Sequence, residues 1–383
     1  MKIAVIGTKG LPVQQGGIER YCEELYPRLV ERGHSVDLFA RPSYIGATWF
    51  SRYTYKGVRV IFLPSLPYRG LDATISSAFG AIASVFGNYD IVHFHALGPA
   101  LYTWMPKLFS RVPIIVTCQG LDWQRKKWGK LASFLIRLGE KAAVQNADEI
   151  VVVSKDLQSY FENAYGLKTT YIPNGPGTYV TSNPQEHYLQ SLNLKPKHYF
   201  LFLGRLVPEK RPDLLIQAFN SLKTTDWKLV LAGGISDSSA YTSQLFNLAG
   251  KNKNIIFAGE VKGSDLAELV RKAGLFVLPS ALEGLPLSML EAMQEKVPIL
   301  ASNIAPHQQL LGSERGWLFE SGNVKSCANF LKQAPEKHLE LELMAKKAQQ
   351  HIKLHYSWDK ITDKNLAMYT RLTFQKVKCF YGG

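Results

Sequence analysis

The chain alternates short apolar runs with amphipathic stretches almost from end to end. In the first half, the runs Lys2–Gly7, Ser35–Ala40, Val58–Leu63, Ile91–Phe94, Pro113–Thr117, Glu149–Ser154 and Thr170–Ile172 predict strands. Helical spacing predicts helices over Ile18–Arg32, Ile75–Phe86, Ala100–Phe109, Trp128–Gln145 and Asp156–Tyr165. Strands separated by helices imply a parallel sheet covered on both faces. The stretch Pro173-Asn174-Gly175-Pro176-Gly177 then breaks regular structure and is the expected hinge. Beyond it the alternation resumes. Strands are predicted over Tyr199–Leu203, Lys228–Ala232, Ile255–Ala258, Leu275–Leu278 and Pro298–Ala301. Helices are predicted over Pro212–Leu222, Ser238–Ala249, Asp265–Ala273 and Leu287–Glu295, and the tail Leu339–Lys376 is helical by pattern. No repeat at solenoid spacing occurs. The expected fold class is α/β, with two Rossmann-like, doubly wound domains facing a cleft.

Composition agrees with this division. A chain of 383 residues is too long for one ordinary core. With 46% hydrophobic and 20% charged residues, it belongs to folded rather than disordered chains. Cys22, Cys118, Cys327 and Cys379 are scattered and form no C-x-x-C pair, so neither a zinc site nor a disulfide framework is expected. The start is apolar only as far as Ile6, where Gly7-Thr8-Lys9-Gly10 interrupts it, so no signal peptide is expected. The longest uncharged stretch, Ala73–Tyr89, is rich in Ser, Gly and Ala. It falls short of the ~20 predominantly apolar residues a membrane span needs. A cytoplasmic location is therefore the expectation.

Candidate chemistry gathers at two strand ends. Glu283 lies directly after the apolar run Leu275–Leu278, and Glu291 lies about two turns into the helix that follows. In an open α/β sheet, ligands bind at that edge. The amides of Leu285, Leu287 and Ser288 would form an anion site at the helix start. Upstream, the strand Tyr199–Leu203 leads to Gly204-Arg205, and Lys210 precedes the next helix. Arg205 and Lys210 can place positive charge on a diphosphate. Two carboxylates that accept hydroxyls, beside such a phosphate site, suit a nucleotide-sugar. Arg211 has no place in the pattern and is expected to face solvent. Gly16-Gly17 precede a helix and let backbone approach a ligand closely. A strict G-x-G-x-x-G is absent, which argues against a nicotinamide cofactor, and no other cofactor is expected. No D-x-D occurs either, so no metal is expected and the two cations would neutralise the diphosphate. His93 and His95 alternate on one strand and face the same side, without a third metal ligand nearby. His95, at the strand end, is the cleft candidate, with a packed histidine as the alternative.

Together these elements resemble the retaining glycosyltransferases of family 4, which have the GT-B fold. The resemblance covers nearly the whole chain. It rests on the E-x7-E element Glu283–Glu291, on Gly204-Arg205-Leu206-Val207-Pro208-Glu209-Lys210, and on the opening Met1–Pro12 with Gly16–Arg20. The resemblance implies a donor site made of Arg205, Lys210, Glu283 and Glu291 with Gly204, Gly284, Leu285, Pro286 and Leu287. Glu283 would orient the sugar and Glu291 the ribose, with Gly16 and Gly17 over the donor phosphates. The opening, together with Gly120-Leu121-Asp122-Trp123-Gln124-Arg125, is most similar to bacterial rhamnosyltransferase-like enzymes that build surface polysaccharides.

The chain departs from its relatives at Thr117-Cys118-Gln119-Gly120-Leu121-Asp122, where many members read T-x-H-G-x-D. Gln119 can donate a hydrogen bond to a hydroxyl but cannot carry a proton at neutral pH. Transfer in the family is described as same-face attack in which the leaving phosphate takes the acceptor proton, so the missing histidine slows the chemistry without abolishing it. If a protein base is essential, His95 or Asp122 must supply it, or the enzyme is impaired. Asp122 and Arg125 are the acceptor-side candidates.

The expected domains are 1–172 on the acceptor side, 173–355 for the nucleotide-sugar, and a helix over 356–383 returning to the first domain. The implied activity is metal-independent transfer of a hexose or deoxyhexose from a nucleoside-diphosphate sugar to a saccharide or lipid-linked acceptor. Two rivals remain. One is a non-catalytic nucleotide-sugar-binding protein, supported by Gln119. The other is a sugar-nucleotide epimerase, against which the Glu283/Glu291 spacing with Arg205 and Lys210 argues.

Charge adds a partner. The net charge is +14, and residues 1–172 hold 20 basic against 13 acidic residues, so the excess is spread over both halves. No helix-turn-helix, zinc finger or aromatic RNA-binding motif is present, and nucleic acid is not an expected partner. A diphosphate donor and an anionic membrane surface fit the sign better. Residues 123–141 carry six basic groups and one acid, with Trp123 and Trp128 among them. That is the composition of a membrane-surface segment, or of a solvated basic face. Peripheral attachment at the inner face of the plasma membrane is therefore part of the expectation.

Overall fold

The computed structural model describes residues 1–14, 16–66, 71–124, 129–182, 187–222, 226–234 and 239–381. The chain divides into two units. One is Met1–Gly175 with Trp358–Gly383, and the other is Pro176–Ser357. The first break falls inside the Pro/Gly stretch, three residues beyond position 172, and the chain returns to the first unit at Trp358 rather than at 356.

The first unit is built on β1 (Lys2–Ile6), β2 (Ser35–Ala40), β3 (Arg52–Tyr55), β4 (Val58–Phe62), β5 (Ile91–His95), β6 (Ile114–Cys118), β7 (Glu149–Val152) and β8 (Thr170–Tyr171). Their order in the sheet is β3-β4-β2-β1-β5-β6-β7-β8. Every pair is parallel except β3–β4, a hairpin turning at Lys56-Gly57. The central strands are buried on both faces, from Ile3 to Ile6 and from Ile114 to Val116, which is why they read as continuous apolar runs. β3 alternates exposed Arg52 and Thr54 with half-buried Tyr53 and Tyr55, and so escaped the expected pattern. The helices Gly17–Glu31 and Trp358–Tyr381 pack against each other, while Leu71–Phe86, Trp104–Phe109 and Lys130–Asn146 pack side by side. The helix expected over Ala100–Phe109 is divided at Thr103, whose hydroxyl donates to the Ala100 carbonyl at 2.8 Å.

The second unit contains β9 (Tyr199–Leu203), β10 (Lys228–Ala232), β11 (Ile255–Gly259), β12 (Leu275–Leu278), β13 (Ile299–Ser302) and β14 (Trp317–Phe319). The order is β11-β10-β9-β12-β13-β14, with every neighbouring pair parallel. Counted from this unit's own first strand, that is 3-2-1-4-5-6, so the strand order reverses between β9 and β12. β14 and the helices Ala305–Leu311 and Val324–Gln333 were not expected. The helical tail is two helices, His338–His355 and Trp358–Tyr381, separated at Tyr356-Ser357. Cys22, Cys118 and Cys327 are buried free thiols.

Candidate active site

In an open parallel sheet, the point where strand order reverses leaves a crevice at the carboxyl ends of two neighbouring strands. In the second unit those strands are β9 and β12. β9 delivers Gly204 and Arg205, and β12 delivers Ser280 to Glu283. The two loops are tied together, because the Ala281 amide donates to the Glu209 carbonyl at 2.8 Å. Lys210 Nζ donates to Glu283 Oε1 at 2.7 Å, and Ser280 Oγ donates to the same oxygen at 2.7 Å. The pair is largely enclosed, with side chains 17% and 11% exposed. Burial by itself would raise the Glu283 pKa. The Lys210 ammonium, with smaller help from His307 and Ser280, outweighs burial and holds it below the usual carboxylate value. Glu283 is therefore an anion at neutral pH.

Gly204 is dictated by this lysine. A Cβ at that position would meet Lys210 Cδ at 3.0 Å and Cε at 3.4 Å, so the lysine crosses directly over the glycine to reach Glu283. Arg205, next in sequence, is exposed, and its side chain has no partner among the described residues. Arg211 is not simply solvated as expected, since its Nε pairs with Asp213 at 3.1 Å.

The helix after β12 runs over Leu287–Gln294, with Pro286 as N-cap and no side-chain cap. Its first backbone bonds come from Met289 and Leu290 to the Pro286 carbonyl, both at 3.1 Å. The amides of Leu285, Leu287 and Ser288 are left without a partner among the described residues. Such a helix start carries about half a positive charge and favours an anion. Gly284 joins Glu283 to the buried residues Leu285 and Pro286 ahead of this start. Glu291 is the fifth residue of the helix, a little over one turn in rather than the expected two. It accepts from the Gly177 amide at 3.3 Å and from the Tyr179 hydroxyl at 2.9 Å.

Two residues at this site had no signal in the sequence. Tyr179 holds Glu291 from the segment just beyond the Pro/Gly stretch. His307 lies fully buried at the start of the helix after β13. Its Nδ1 donates to the Ser302 carbonyl at 2.9 Å, which leaves Nε2 as an unprotonated acceptor with no partner among the described residues. Burial pushes its pKa down to about 4, partly opposed by the Glu283 carboxylate. Pro306 before it marks a helix start, but nothing in the local sequence points the ring toward Glu283.

On the first unit, Gly16 caps the helix Gly17–Glu31 with φ +111°, and the amides of Gly17, Ile18 and Glu19 have no partner among the described residues. A Cβ on Gly16 would strike Glu19 Oε2 at 2.0 Å. Glu19, only 4% exposed, folds back beneath Gly16 and accepts from the Lys9 amide at 3.0 Å. The loop and the helix start thus hold each other in place.

His95 does not take the strand-end cleft position. It is fully buried, its Nε2 lies 2.6 Å from the Tyr26 hydroxyl, and its ring stacks on His93 at 4.3 Å between centroids. Burial pushes its pKa down to about 3, so it is a neutral, packed histidine. His93 bridges the Tyr369 hydroxyl and Thr117 Oγ1, each at 2.7 Å, and serves packing. Gln119 is half-buried and engaged with Asn174: Asn174 Nδ2 donates to Gln119 Oε1 at 2.7 Å, and Gln119 Nε2 donates back at 3.4 Å. Asp122 opens the short helical turn Asp122–Gln124 and is half-buried. Arg125 lies outside the described residues, as do Lys126, Lys127 and Trp128. Trp123 is tied inward, its Nε1 donating to the buried Glu140 at 2.9 Å.

Comparison with known proteins agrees with both halves. The family described as Glycosyltransferase Family 4 matches residues 15–176, and the family described as Glycosyl transferases group 1 matches residues 184–351. A D-inositol 3-phosphate glycosyltransferase of Gordonia bronchialis is 26% identical, over 97% of this chain and 88% of the relative. An uncharacterised glycosyltransferase of Methanocaldococcus jannaschii is 25% identical, over 96% of this chain and 98% of the relative. Among solved structures, the sucrose-phosphate synthase of Thermosynechococcus elongatus has a TM-score of 0.82 at 20% identity, covering 97% of this chain and 98% of that one. HepE of Anabaena, in complex with UDP and glucose, has a TM-score of 0.79 at 19% identity, covering 97% of this chain and all of that one (100%). Two parallel sheets with helices between their strands, the two family matches that between them take in most of the sequence, and these relatives lead to one conclusion: the chain belongs to the GT-B glycosyltransferases of the family 4 type.

Proposed function

We propose that the protein is a retaining, metal-independent glycosyltransferase that moves a hexose or deoxyhexose from a nucleoside-diphosphate sugar to a saccharide or lipid-linked acceptor. The observation that carries this reading is the enclosed Lys210–Glu283 pair at the β9/β12 switch point, beside the uncommitted Arg205 and the open helix start at Leu287. Arg205, Lys210 and the amides of Leu285, Leu287 and Ser288 supply positive charge for the departing diphosphate, and stabilising that charge is the strongest single contribution expected in such a reaction. These groups take the place a divalent ion fills elsewhere. Glu283, ionised and oriented by Lys210 and Ser280, accepts sugar hydroxyls. Glu291, steadied by Tyr179, accepts the ribose hydroxyls. Gly16 and Gly17 offer a second amide-lined helix start to the phosphates.

The acceptor side is assigned to Asp122, Arg125 and Gln119. Assembly of a bacterial surface polysaccharide is the setting that the rhamnosyltransferase-like sequence features favour. An acceptor on a lipid carrier, with the protein attached peripherally to an anionic membrane surface, accounts for the excess of cations. Among the described residues no helix is long and apolar enough to cross a membrane.

UDP-sugars are the first donors to test, because HepE is described with UDP and with UDP-glucose. The experiment is a screen of nucleotide sugars by thermal shift, followed by nucleotide release with and without acceptor. A donor at a hundred times its dissociation constant stabilises by ~2.7 kcal/mol. Release of nucleoside diphosphate with inversion at the anomeric carbon would refute retention, and no stabilisation by any nucleotide sugar would refute the donor site.

A further inference from the structure

The helix Leu71–Phe86 wears its surface inside out. The residues it turns inward are small: Ser76, Ser77, Gly80, Ala81 and Ser84 are buried. The large ones face out, with Phe79 40% exposed, Ile82 44% and Phe86 80%. Spacings of three and four place them on one face of the helix. A helix that only has to dissolve in water carries the opposite pattern. Nor is there any charge to solvate this face, since no charged residue occurs between Asp72 and Asp90. The neighbouring helices continue the theme. Leu108 is 70% exposed, Phe109 66% and Phe134 57%. The helices that carry them pack side by side with Leu71–Phe86 or with each other, so large apolar side chains are exposed on three neighbouring helices.

The exposed charges on these helices are cations, and the half-buried Asp72 is paired with Arg41. Arg111, Lys130, Arg137 and Lys141 are exposed on or beside the same helices. The only acids between residues 91 and 147 are Asp122 and Glu140. Glu140 is 1% exposed and is enclosed by hydrogen bonds from Trp123, Tyr160 and Tyr165. Lys130 and Lys141 have no partner among the described residues.

We propose that this face docks on an anionic lipid bilayer. Phe79, Ile82 and Phe86 would enter the boundary between headgroups and acyl chains while the cations meet lipid phosphates. A second copy of the chain fits less well. A two-fold pair would set the same cationic rim against itself, and like charges would face each other. The assignment deepens the peripheral attachment proposed above by naming its surface, and it is independent of which sugar is transferred.

The test is flotation of the full chain with vesicles of phosphatidylglycerol and phosphatidylcholine, against phosphatidylcholine alone. The parent is expected to partition at least ~10-fold more strongly onto the anionic vesicles. Phe79→Ser/Ile82→Ser/Phe86→Ser is expected to lose more than ~10-fold on both kinds of vesicle, with a lowered Tm because Phe79 and Ile82 are more than half buried. Lys130→Gln/Lys141→Gln is expected to lose ~20-fold on anionic vesicles only. If the triple variant fails to fold, Phe86→Ser alone is read, with a ~3-fold loss expected. Donor-induced thermal shift is measured on every variant, so a failed donor site is seen separately from a failed membrane surface. Equal partition of parent and apolar variants overturns the proposal. So does a parent dimer, by sedimentation equilibrium, that the triple variant converts to monomer while neither binds vesicles.

Discussion

Replacing Lys210 by Met separates its ion pair with Glu283 from the role proposed for it on the leaving diphosphate. Met keeps an unbranched stem to lie across Gly204 and removes only the charge. At 2.7 Å, and with an effective dielectric constant of ~20, the attraction to Glu283 is of order 6 kcal/mol before desolvation is charged against it. Burying both ions offsets most of that, so the intact pair contributes little net stability. Removing one partner is different, because Glu283 is then an uncompensated ion in a nearly closed site. Breaking a fully buried pair costs ~3–5 kcal/mol, and the residual exposure of 17% and 11% puts this case at the lower end, ~3 kcal/mol. Lys210→Met/Glu283→Gln leaves no buried charge and should recover most of the loss. Turnover should behave otherwise. If Lys210 stabilises the leaving diphosphate, both variants lose ~10²–10³ in turnover, about 3–4 kcal/mol of barrier. Urea unfolding of the three proteins gives the stabilities, and nucleotide release at saturating donor gives the rates. A double variant that regains stability and turns over within tenfold of the parent would mean that Lys210 is a structural clamp, and the catalytic reading would fall.

Other outcomes follow from the same geometry. His93, His95 and His307 are buried and neutral, with folded pKa values well below, about 3 and about 4, against an ordinary value of 6.5. The unfolded chain therefore binds protons that the folded one refuses. Stability should be complete above pH 6.5 and fall toward pH 4, each histidine adding a slope of up to ~1.4 kcal/mol per pH unit. Urea midpoints that stay flat from pH 7 to pH 4.5 would contradict this. Gly16→Ala should cost ~1–3 kcal/mol in thermal unfolding, because φ +111° strains any other residue and the new Cβ displaces Glu19. Gln119→His should keep or raise transfer activity at a stability change within ~1 kcal/mol, the cost of one neutral hydrogen bond to Asn174. A large loss of activity would give Gln119 a role of its own. Transfer should persist in EDTA, and restoration of a lost activity by Mn²⁺ or Mg²⁺ would overturn the metal-independent assignment.

The parts of this fold that were legible in sequence are those in which one local fact decides structure. β1, β6, β9 and β12 are buried on both faces, and a continuous apolar run has no other use at that length. The grouping of Gly204, Lys210, Glu283 and Glu291 was legible because they come from two short segments that a strand-turn-helix places without help from elsewhere. Where a residue's surroundings come from far along the chain, local pattern was not enough. His95 sits at a strand end, but Tyr26, and Tyr369 through His93, close over it. The Asn174 that occupies Gln119 is 55 residues away. Tyr179 and His307 reach the carboxylates across 112 and 24 positions, and no spacing rule covers such distances. The unexpected stretch from Ala305 to Phe319 holds a seven-residue helix and a three-residue strand, each too short for periodicity to declare itself.

The return of the last helix to the first unit bears on how the protein is made. Tyr21 donates to Asn365, Arg32 pairs with Asp363, and His93 meets Tyr369. The partners in these contacts lie 344, 331 and 276 positions apart, so each joins residues made early to residues made much later. A nascent chain that has left the ribosome as far as residue 350 has every strand of the first sheet, yet His93 lacks its tyrosine and Trp358 and Met368 are missing from that unit's core. The second unit is one uninterrupted segment, Pro176–Ser357. Co-translational order is therefore reversed from N-to-C expectation: the second unit has all its residues first, and the first unit must wait for the helix that starts at Trp358. A stop codon anywhere before Trp358 would leave a buried histidine pair open on one side, which marks the truncated product for aggregation or proteolysis rather than for partial function.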